Sequence, residues 1–352
     1  MAADTIFRVA SMTKGITGAA AMIALDDGAF GLDDPVADYL PEFAVMQVWT
    51  PDGLIAAERP ITIRHLLTHT CGLTSGFLPG PVPDMYLARN LQDGMREGAE
   101  HTLSDYVRQL AELPLICQPG TEWNYGEGLA VIGRLIEVVS GQRYGDFLEA
   151  RLFGPLGMVD TGFYVPRAKW DRLATLYGVD FATGQVAEYR QMYFPMKEVG
   201  RPFHPMNMHE RPKADLGGAG LVSTVRDTLR FAMMLAGGGE VGGVRILSSQ
   251  AAQAMCSGQL VSALGERALA RSILGERGLG MDMGLGVLVV RDSQVSRHAA
   301  SPGAVTFSGA TGARFWADPK LGLAGVFFTH AMNGGLTEFS AFERLVYAAR
   351  TD

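Results

Sequence analysis

A serine and a lysine three positions apart, Ser11 and Lys14, are the residues of this sequence best suited to covalent chemistry. Residues 5–9 are β-prone and residues 15–25 have the apolar spacing of a helix, so Ser11 is predicted at the first helical turn. Free backbone N–H groups and the helix dipole favour developing negative charge there. Residues three apart share a helix face, and a lysine buried in a cleft favours its neutral amine. The pair could therefore act as nucleophile and base.

The same spacing also fits a helix-capping serine followed by a solvated lysine, which is the commoner arrangement. A second candidate is Tyr125, which lies on a glycine-punctuated loop ahead of the apolar segment 129–139. By itself, Tyr125 has the character of a core tyrosine with a hydrated hydroxyl. Neither feature alone identifies a function.

A pair of histidines is the remaining short-range signal. His65 and His69 are four residues apart in a helix predicted over 61–70, with Thr62 as its cap, so the two rings could share one face. No third ligand is evident, and we predict structural roles and no metal site. No cofactor is predicted either.

The composition limits the classes of protein to consider. With 352 residues, 47% hydrophobic and 19% charged, the chain can bury a large core as one domain or two lobes. A net charge of -7 without a basic run argues against a nucleic-acid partner. Three scattered cysteines predict free thiols. The start resembles no signal peptide and no apolar run could span a membrane, so a cytoplasmic location without membrane contact is expected.

The hydrophobic periodicity changes along the chain. It predicts helices over 104–113, 129–139, 223–235, 248–257 and 338–349, and short strands over 285–290, 304–308, 313–317 and 323–329. The proline-rich residues 77–100 are predicted to form a loop over a cleft. We therefore predict one compact catalytic unit with an α/β lobe, residues 1–10 and 276–352, and a mostly helical lobe, residues 11–275.

Several segments together resemble the serine β-lactamase superfamily. They are residues 7–14 (FRVASMTK), 63–73 (IRHLLTHTCGL), 119–125 (PGTEWNY), 217–221 (GGAGL) and the late strands. Within that superfamily the chain is most similar to the class C-related group that includes family VIII carboxylesterases. The resemblance spans nearly all of the sequence, in order, and implies an antiparallel sheet flanked by helices beside a helical lobe.

The resemblance also implies a helix and the first sheet strands ahead of the nucleophile. Only ten residues precede Ser11, so those N-terminal strands are expected to be missing and one edge of the sheet to be exposed. A second copy of the chain could cover that edge. The resemblance thus raises the possibility of a homo-oligomer.

By position, the resemblance assigns roles to individual residues. Ser11 corresponds to the acylated nucleophile, Lys14 to its proton partner, and Tyr125 to the tyrosine that shuttles the proton. The N–H groups of Ser11 and Ala310 would form the oxyanion hole, which supplies much of the transition-state stabilisation in such enzymes. No Gly-x-Ser-x-Gly stretch is present, which removes the α/β-hydrolase alternative.

Substrate preference is indicated by a departure from the superfamily pattern. Phe307, Ser308 and Gly309 match the Lys-Thr-Gly element whose first two residues bind the substrate carboxylate in β-lactamases. A neutral aromatic cannot pair with a carboxylate, so a neutral ester suits this site better than a penicillin. Esterases of the resembling group carry an aromatic-glycine variant at this point as well. We predict that the three residues contact substrate.

Glu127 is a second departure, because it replaces the asparagine of the Tyr-x-Asn element. It could pair with Lys14 and hold that lysine charged, leaving Tyr125 as the working base. Alternatively, it could project into solvent as a glutamate at a helix N-terminus. The sequence leaves both open, and we include Glu127 among the predicted substrate-binding residues.

The leading prediction is a serine hydrolase that cleaves short-chain carboxylic esters of small molecules through an acyl-enzyme on Ser11. A β-lactamase or D-alanyl-D-alanine peptidase would use the same residues. A transacylase would differ only in the acceptor. A non-catalytic binding module on the same fold is the alternative from another class.

Overall fold

The computed structural model describes residues 1–91, 101–179, 185–189, 192–193, 202–203, 207–296, 298–332 and 336–350. The α-helices are α1 Thr13–Asp26, α2 Ile63–Leu67, α3 Pro81–Ala88, α4 Leu103–Ala111, α5 Gly128–Ser140, α6 Tyr144–Leu148, α7 Gly154–Leu156, α8 Val225–Ala236, α9 Ser249–Met255, α10 Val261–Leu264, α11 Ser293–Ser296 and α12 Leu336–Ala348. The strands are β1 Phe7–Arg8, β2 Gln47–Thr50, β3 Gly53–Ala56, β4 Tyr177–Val179, β5 Val186–Glu188, β6 Met192–Tyr193, β7 Pro202–Phe203, β8 Val222–Ser223, β9 Glu240–Val241, β10 Val244–Arg245, β11 Met281–Met283, β12 Leu288–Val290, β13 Val305–Ser308, β14 Ala313–Asp318, β15 Leu323–Phe328 and β16 Ala331–Met332.

The main sheet has five antiparallel strands in the order β11-β12-β13-β14-β15. Helices cover both faces, α8 on one and α12 on the other, as the aromatic contacts Phe231–Phe315 and Trp316–Phe339 indicate. The predicted antiparallel sheet flanked by helices is therefore confirmed. Among the described residues, β15 pairs with β14 alone.

Helix α1 is the centre of the molecule. All of its residues from Thr13 to Ala24 are buried, as expected for a helix that is apolar or small on every face. It packs against α5 on one side and α9 on another. Cβ atoms placed at Gly15 and Gly18 would lie 3.2 Å from Phe315 and 2.4 Å from the carbonyl of Leu285. The glycines therefore allow α1 to approach the sheet and its turns closely.

The strand before Ser11 is tied to two distant segments. Strand β1 pairs antiparallel with β8, with Phe7 opposite Ser223. Val9 N–H donates to the carbonyl of Leu221 at 3.0 Å, and the Thr311 hydroxyl donates to the carbonyl of Arg8 at 2.6 Å. These bonds fix the backbone that leads into the nucleophile position.

Two predicted elements differ from the structure. The predicted loop over 77–100 is wrong in its first half, where α3 forms, and residues 92–100 lie outside the described chain. Pro81 and Pro83 fall in the first turn of α3, where a backbone N–H has no intrahelical partner anyway. Helix α2 is shorter than the predicted 61–70, although Thr62 caps it as expected. Among the described residues, no helix combines the length and apolar character needed to cross a membrane.

Candidate active site

The predicted nucleophile and the predicted tyrosine meet directly. Ser11 lies in the 3-10 turn Ala10–Met12 that precedes α1, and 8% of its surface is exposed. The Tyr125 hydroxyl donates to Ser11 Oγ at 2.6 Å. The loop that carries Tyr125 lies tightly against an earlier segment, since a Cβ at Gly126 would be 2.4 Å from the carbonyl of Leu73. Glycine is required there for the phenol to reach the serine.

Lys14 is fully buried in the first turn of α1. Its Nζ donates to the carbonyl of Gly218 at 2.6 Å and lies 4.7 Å from the centroid of the Tyr125 ring. This distance is within the range of a cation–π contact. The backbone of Gly217 also approaches closely, because a Cβ there would be 2.4 Å from the carbonyl of Leu129. Ser11, Lys14 and Tyr125 are therefore brought together, as their positions in the sequence predict.

The turn after β13 lies beside the nucleophile strand. A Cβ at Gly309 would be 2.1 Å from the carbonyl of Val9, so only glycine fits. Ala310 follows, and it packs with Tyr125 against a small apolar cluster formed by Phe77, Leu176, Tyr189, Ala219 and Met332. This placement is compatible with an oxyanion hole built from the N–H groups of Ser11 and Ala310, which stays a prediction.

Phe307 and Ser308 point to opposite faces of the sheet, because side chains alternate along a strand. Phe307 is buried in the main core. Ser308 is paired across the sheet with Arg314, whose guanidinium lies 5.4 Å from the Phe339 ring of α12. Ser308 and Arg314 line a cavity of about 490 Å³ on the α12 side of the sheet. Substrate contacts by Phe307, Ser308 and Gly309 stay predictions.

Glu127 is 1% exposed, so the solvent-facing alternative is wrong. Its carboxylate accepts hydrogen bonds from the Ser75 hydroxyl at 2.8 Å and the Tyr106 hydroxyl at 3.0 Å. The loop folds inward because Gly128, directly after Glu127, lies against the Leu66 backbone, where a Cβ would be 2.7 Å from the carbonyl oxygen. Pairing with Lys14 and contact with substrate both stay predictions.

His69 is a site residue that the sequence did not reveal. It lies beyond the end of α2 with φ 57°, and its ring stacks on Tyr125 with centroids 5.0 Å apart and planes at 26°. Burial, and secondarily the charge of Lys14, lowers the pKa of His69 to about 3. The helical spacing from His65 concealed this position, although histidine is one of the residues that tolerate positive φ.

His65 has a separate role in the capping box of α2, where its side chain and that of Thr62 exchange hydrogen bonds with each other's backbone N–H groups. In the described part of the chain, no three His, Cys, Asp or Glu side chains cluster as metal ligands would.

Residues 1–349 match the family described as Beta-lactamase. The chain belongs to the beta-lactamase family. Protein Rv1367c of Mycobacterium tuberculosis is 36% identical over 334 residues, covering 92% of this chain and 77% of the relative. Esterase EstB of Burkholderia gladioli is 34% identical over 236 residues, covering 65% of this chain and 57% of the esterase.

A solved structure with the same fold agrees with this assignment. The structure of EstCE1, described as a hydrolase with promiscuous acyltransferase activity, superimposes with a TM-score of 0.81 at 27% identity. The match covers 99% of this chain and 86% of EstCE1. The chain thus has the beta-lactamase fold and has both esterases and acyltransferases among its homologues, which supports a serine hydrolase or acyl-transferring enzyme.

Proposed function

We propose that this protein hydrolyses short-chain carboxylic esters through an acyl-enzyme on Ser11. The observation that carries the proposal is the 2.6 Å hydrogen bond between the Tyr125 hydroxyl and Ser11 Oγ, beside a buried Lys14. A serine hydroxyl becomes a useful nucleophile when an adjacent base within hydrogen-bond reach can take its proton.

In the proposed reaction, Tyr125 acts as a phenolate stabilised by the Lys14 cation, and Ser11 Oγ attacks the ester carbonyl carbon while its proton moves to the Tyr125 oxygen. The tetrahedral intermediate then collapses, the ester C–O bond breaks, and that proton passes to the leaving alkoxide. A water molecule attacks the acyl-enzyme in the second half-reaction, releasing the carboxylic acid and restoring the serine. Developing negative charge on the carbonyl oxygen would be stabilised by the N–H groups of Ser11 and Ala310.

Preference for esters over lactams is supported by Phe307. A buried phenylalanine at the position of the usual lysine provides no cation for a substrate carboxylate. The similarity to esterase EstB points in the same direction. Acyl transfer to an alcohol in place of water is the second candidate, favoured by the similarity to EstCE1 and to acyltransferases.

The test compares p-nitrophenyl acetate and butyrate with a chromogenic cephalosporin, on wild type and Ser11→Ala. We expect ester turnover to exceed cephalosporin turnover and to fall at least about 10³-fold in Ser11→Ala. Ser140→Ala is a matched control, since the Ser140 hydroxyl donates to the carbonyl of Ile136 within α5 and accepts from the N–H of Gln142 just beyond it. An added alcohol acceptor distinguishes transfer from hydrolysis by its ester product.

Three outcomes would contradict the proposal. Cephalosporin turnover above ester turnover would favour a β-lactamase. Release of D-alanine from a D-alanyl-D-alanine peptide at a higher rate than ester cleavage would favour a peptidase. No covalent adduct on Ser11 after treatment of the folded protein with a fluorophosphonate, measured by intact mass, would favour a non-catalytic binding module.

A further inference from the structure

His69 occupies an unfavourable position for a histidine. Its ring is 1% exposed, and neither Nδ1 nor Nε2 has a hydrogen-bond partner among the described residues. Its φ of 57° lies in the left-handed region, which costs a non-glycine residue free energy. A buried imidazole without partners is also costly. Costs of this kind persist where the surrounding structure needs the residue, and they concentrate at active sites.

The left-handed turn aims two consecutive carbonyls at the loop that leads to Tyr125. The carbonyl of His69 accepts from Asn124 N–H at 2.8 Å, and the carbonyl of Thr70 accepts from Gly120 N–H at 2.7 Å. Asn124 is the residue directly before Tyr125. The backbone conformation of His69 therefore anchors the loop that presents the phenol.

The imidazole ring holds the phenol from another direction. It stacks on the Tyr125 ring, and its opposite contact is the Trp123 ring, edge-on at a centroid distance of 5.6 Å. Lys14 Nζ lies 4.7 Å from the same phenol ring, so a second cation at His69 would be repelled. Burial and the Lys14 charge keep His69 neutral by lowering its pKa to about 3. The position beside Tyr125 therefore accommodates an uncharged flat ring but not a cation.

We propose that His69 is a positioning residue for the acylation step. Its carbonyl anchors the loop before Tyr125, and its uncharged ring holds the phenol within hydrogen-bond distance of Ser11 Oγ. This inference rests on the proposed function and deepens it. His69 transfers no proton itself.

Two substitutions separate the ring from its nitrogen atoms. His69→Phe keeps a flat ring without nitrogens, whereas His69→Asn keeps a residue that tolerates positive φ but removes the ring. We expect kcat for p-nitrophenyl butyrate to fall at least about tenfold in His69→Asn with KM within about twofold, because a displaced base slows chemistry more than binding. His69→Phe should retain kcat within about threefold and keep the wild-type pH midpoints of kcat/KM.

The matched control is His209→Asn, the same substitution at an exposed histidine whose ring contacts Trp170, outside the site. It should leave kcat and the labelling rate unchanged, which separates loss of the His69 ring from a general effect of the substitution. The rate of fluorophosphonate labelling of Ser11, measured on protein shown to be folded by circular dichroism, provides a readout that does not depend on an ester substrate.

Several results would overturn the inference. The first is a kcat and a labelling rate in His69→Asn that equal those of wild type. The second is an equal loss of kcat in both His69 variants at unchanged Tm, and the third is a shifted midpoint in the pH profile of kcat/KM for His69→Phe. Either of the last two would show that the ring nitrogen atoms are essential. Failure of the proposed function is distinguishable. In that case wild type turns over no ester, while the labelling rates of the His69 variants still test the positioning of Tyr125.

Discussion

Removing the Tyr125 hydroxyl should slow the chemical step without weakening substrate binding. The hydroxyl donates to Ser11 Oγ, while the ring is held by His69, Phe77 and Trp123. Phenylalanine would keep those ring contacts and lose only the hydroxyl. The site should therefore keep its shape when this residue is changed.

We expect Tyr125→Phe to lower kcat by about 10²- to 10⁴-fold, the usual contribution of a positioned acid–base group, with KM changed by less than a few-fold. Steady-state kinetics with p-nitrophenyl butyrate measures both constants. Tyr39→Phe is a matched control, because it removes a hydroxyl bonded to Asp34 at 2.7 Å, outside the site. Wild-type kcat in Tyr125→Phe would remove the phenol from the proposed mechanism.

Glu127, two residues after Tyr125, and Lys14, whose Nζ lies 4.7 Å from the Tyr125 ring, are both fully buried, and we propose that they form an ion pair. Removing one partner of a buried pair leaves an uncompensated charge, which typically costs about 3–5 kcal/mol of the free energy of unfolding. We expect Glu127→Gln and Lys14→Met each to be strongly destabilising and the double variant to cost much less than the sum.

Urea unfolding of the four proteins of this cycle measures the coupling directly. Additive effects would show that the two side chains do not interact, whereas the Ser75 and Tyr106 hydroxyls would still donate to the Glu127 carboxylate. Because the readout is stability, the cycle does not depend on the proposed activity.

Whether the role of a single residue could be predicted depends on the kind of sequence pattern in which it lies. Ser11, Lys14 and Tyr125 belong to short motifs in a recognisable order, so their meeting could be predicted. The burial of Glu127 and the stacking of His69 depend on how closely the loop at 126–128 packs on residues 66–74. The glycines permit this close packing, but their presence in the sequence does not predict it. The sequence therefore indicated the reacting groups better than the groups that hold them.

At the scale of elements, helices with a strong period were predicted within two residues. The prediction over 129–139 corresponds to Gly128–Ser140, and that over 104–113 to Leu103–Ala111. The failure at 81–88 has a physical cause, because prolines that punctuate a loop are equally acceptable in a first helical turn. What decided the outcome was burial of Val82, Pro83 and Tyr86, a tertiary effect.

His330 connects strand β1 to the segment before β4, and it should make the stability of the protein sensitive to acid. It lies between β15 and β16, accepts from Arg8 N–H of β1 at Nε2 (3.2 Å), and donates from Nδ1 to the carbonyl of Thr175 (3.0 Å). Burial, together with the Arg8 charge, lowers the pKa of His330 from 6.5 to about 4. Protonation at Nε2 would remove the acceptor that Arg8 needs.

Between pH 6.5 and 4 the unfolded chain binds more protons than the folded one. The contribution of His330 to the free energy of unfolding is therefore fully present above pH 6.5 and is lost as the pH falls to 4. The loss should amount to about 3 kcal/mol by pH 4. Urea unfolding at a series of pH values measures it. His330→Gln should flatten this slope, while His209→Gln, at an exposed ring, should not. Equal slopes in wild type and His330→Gln would contradict the assignment.

At the scale of the whole molecule, α1 joins the helical body to the sheet. It carries Lys14 and follows directly from the turn that holds Ser11, and it packs on α5, α9 and the turn between β11 and β12. The sequence predicted α1 as a helix with one apolar face, since small residues do not distinguish a surface from a close approach. In the structure they let three elements contact one helix.

Gly18 is the point where this junction is tightest. A Cβ there would lie 2.4 Å from the carbonyl of Leu285 and 3.1 Å from Cα of Gly286, which are backbone atoms that cannot rotate away. We expect Gly18→Ala to cost about 1–3 kcal/mol despite the better helix propensity of alanine, because overpacking outweighs that gain of about 1 kcal/mol. Calorimetry should record a Tm several degrees lower. Gly162→Ala, where a Cβ would lie 3.8 Å from the carbonyl oxygen of Tyr164, should leave Tm unchanged. If Gly18→Ala were as stable as wild type, α1 could move away from the sheet without penalty, and the backbone that holds Ser11 and Lys14 would be less rigidly placed than the close contacts imply.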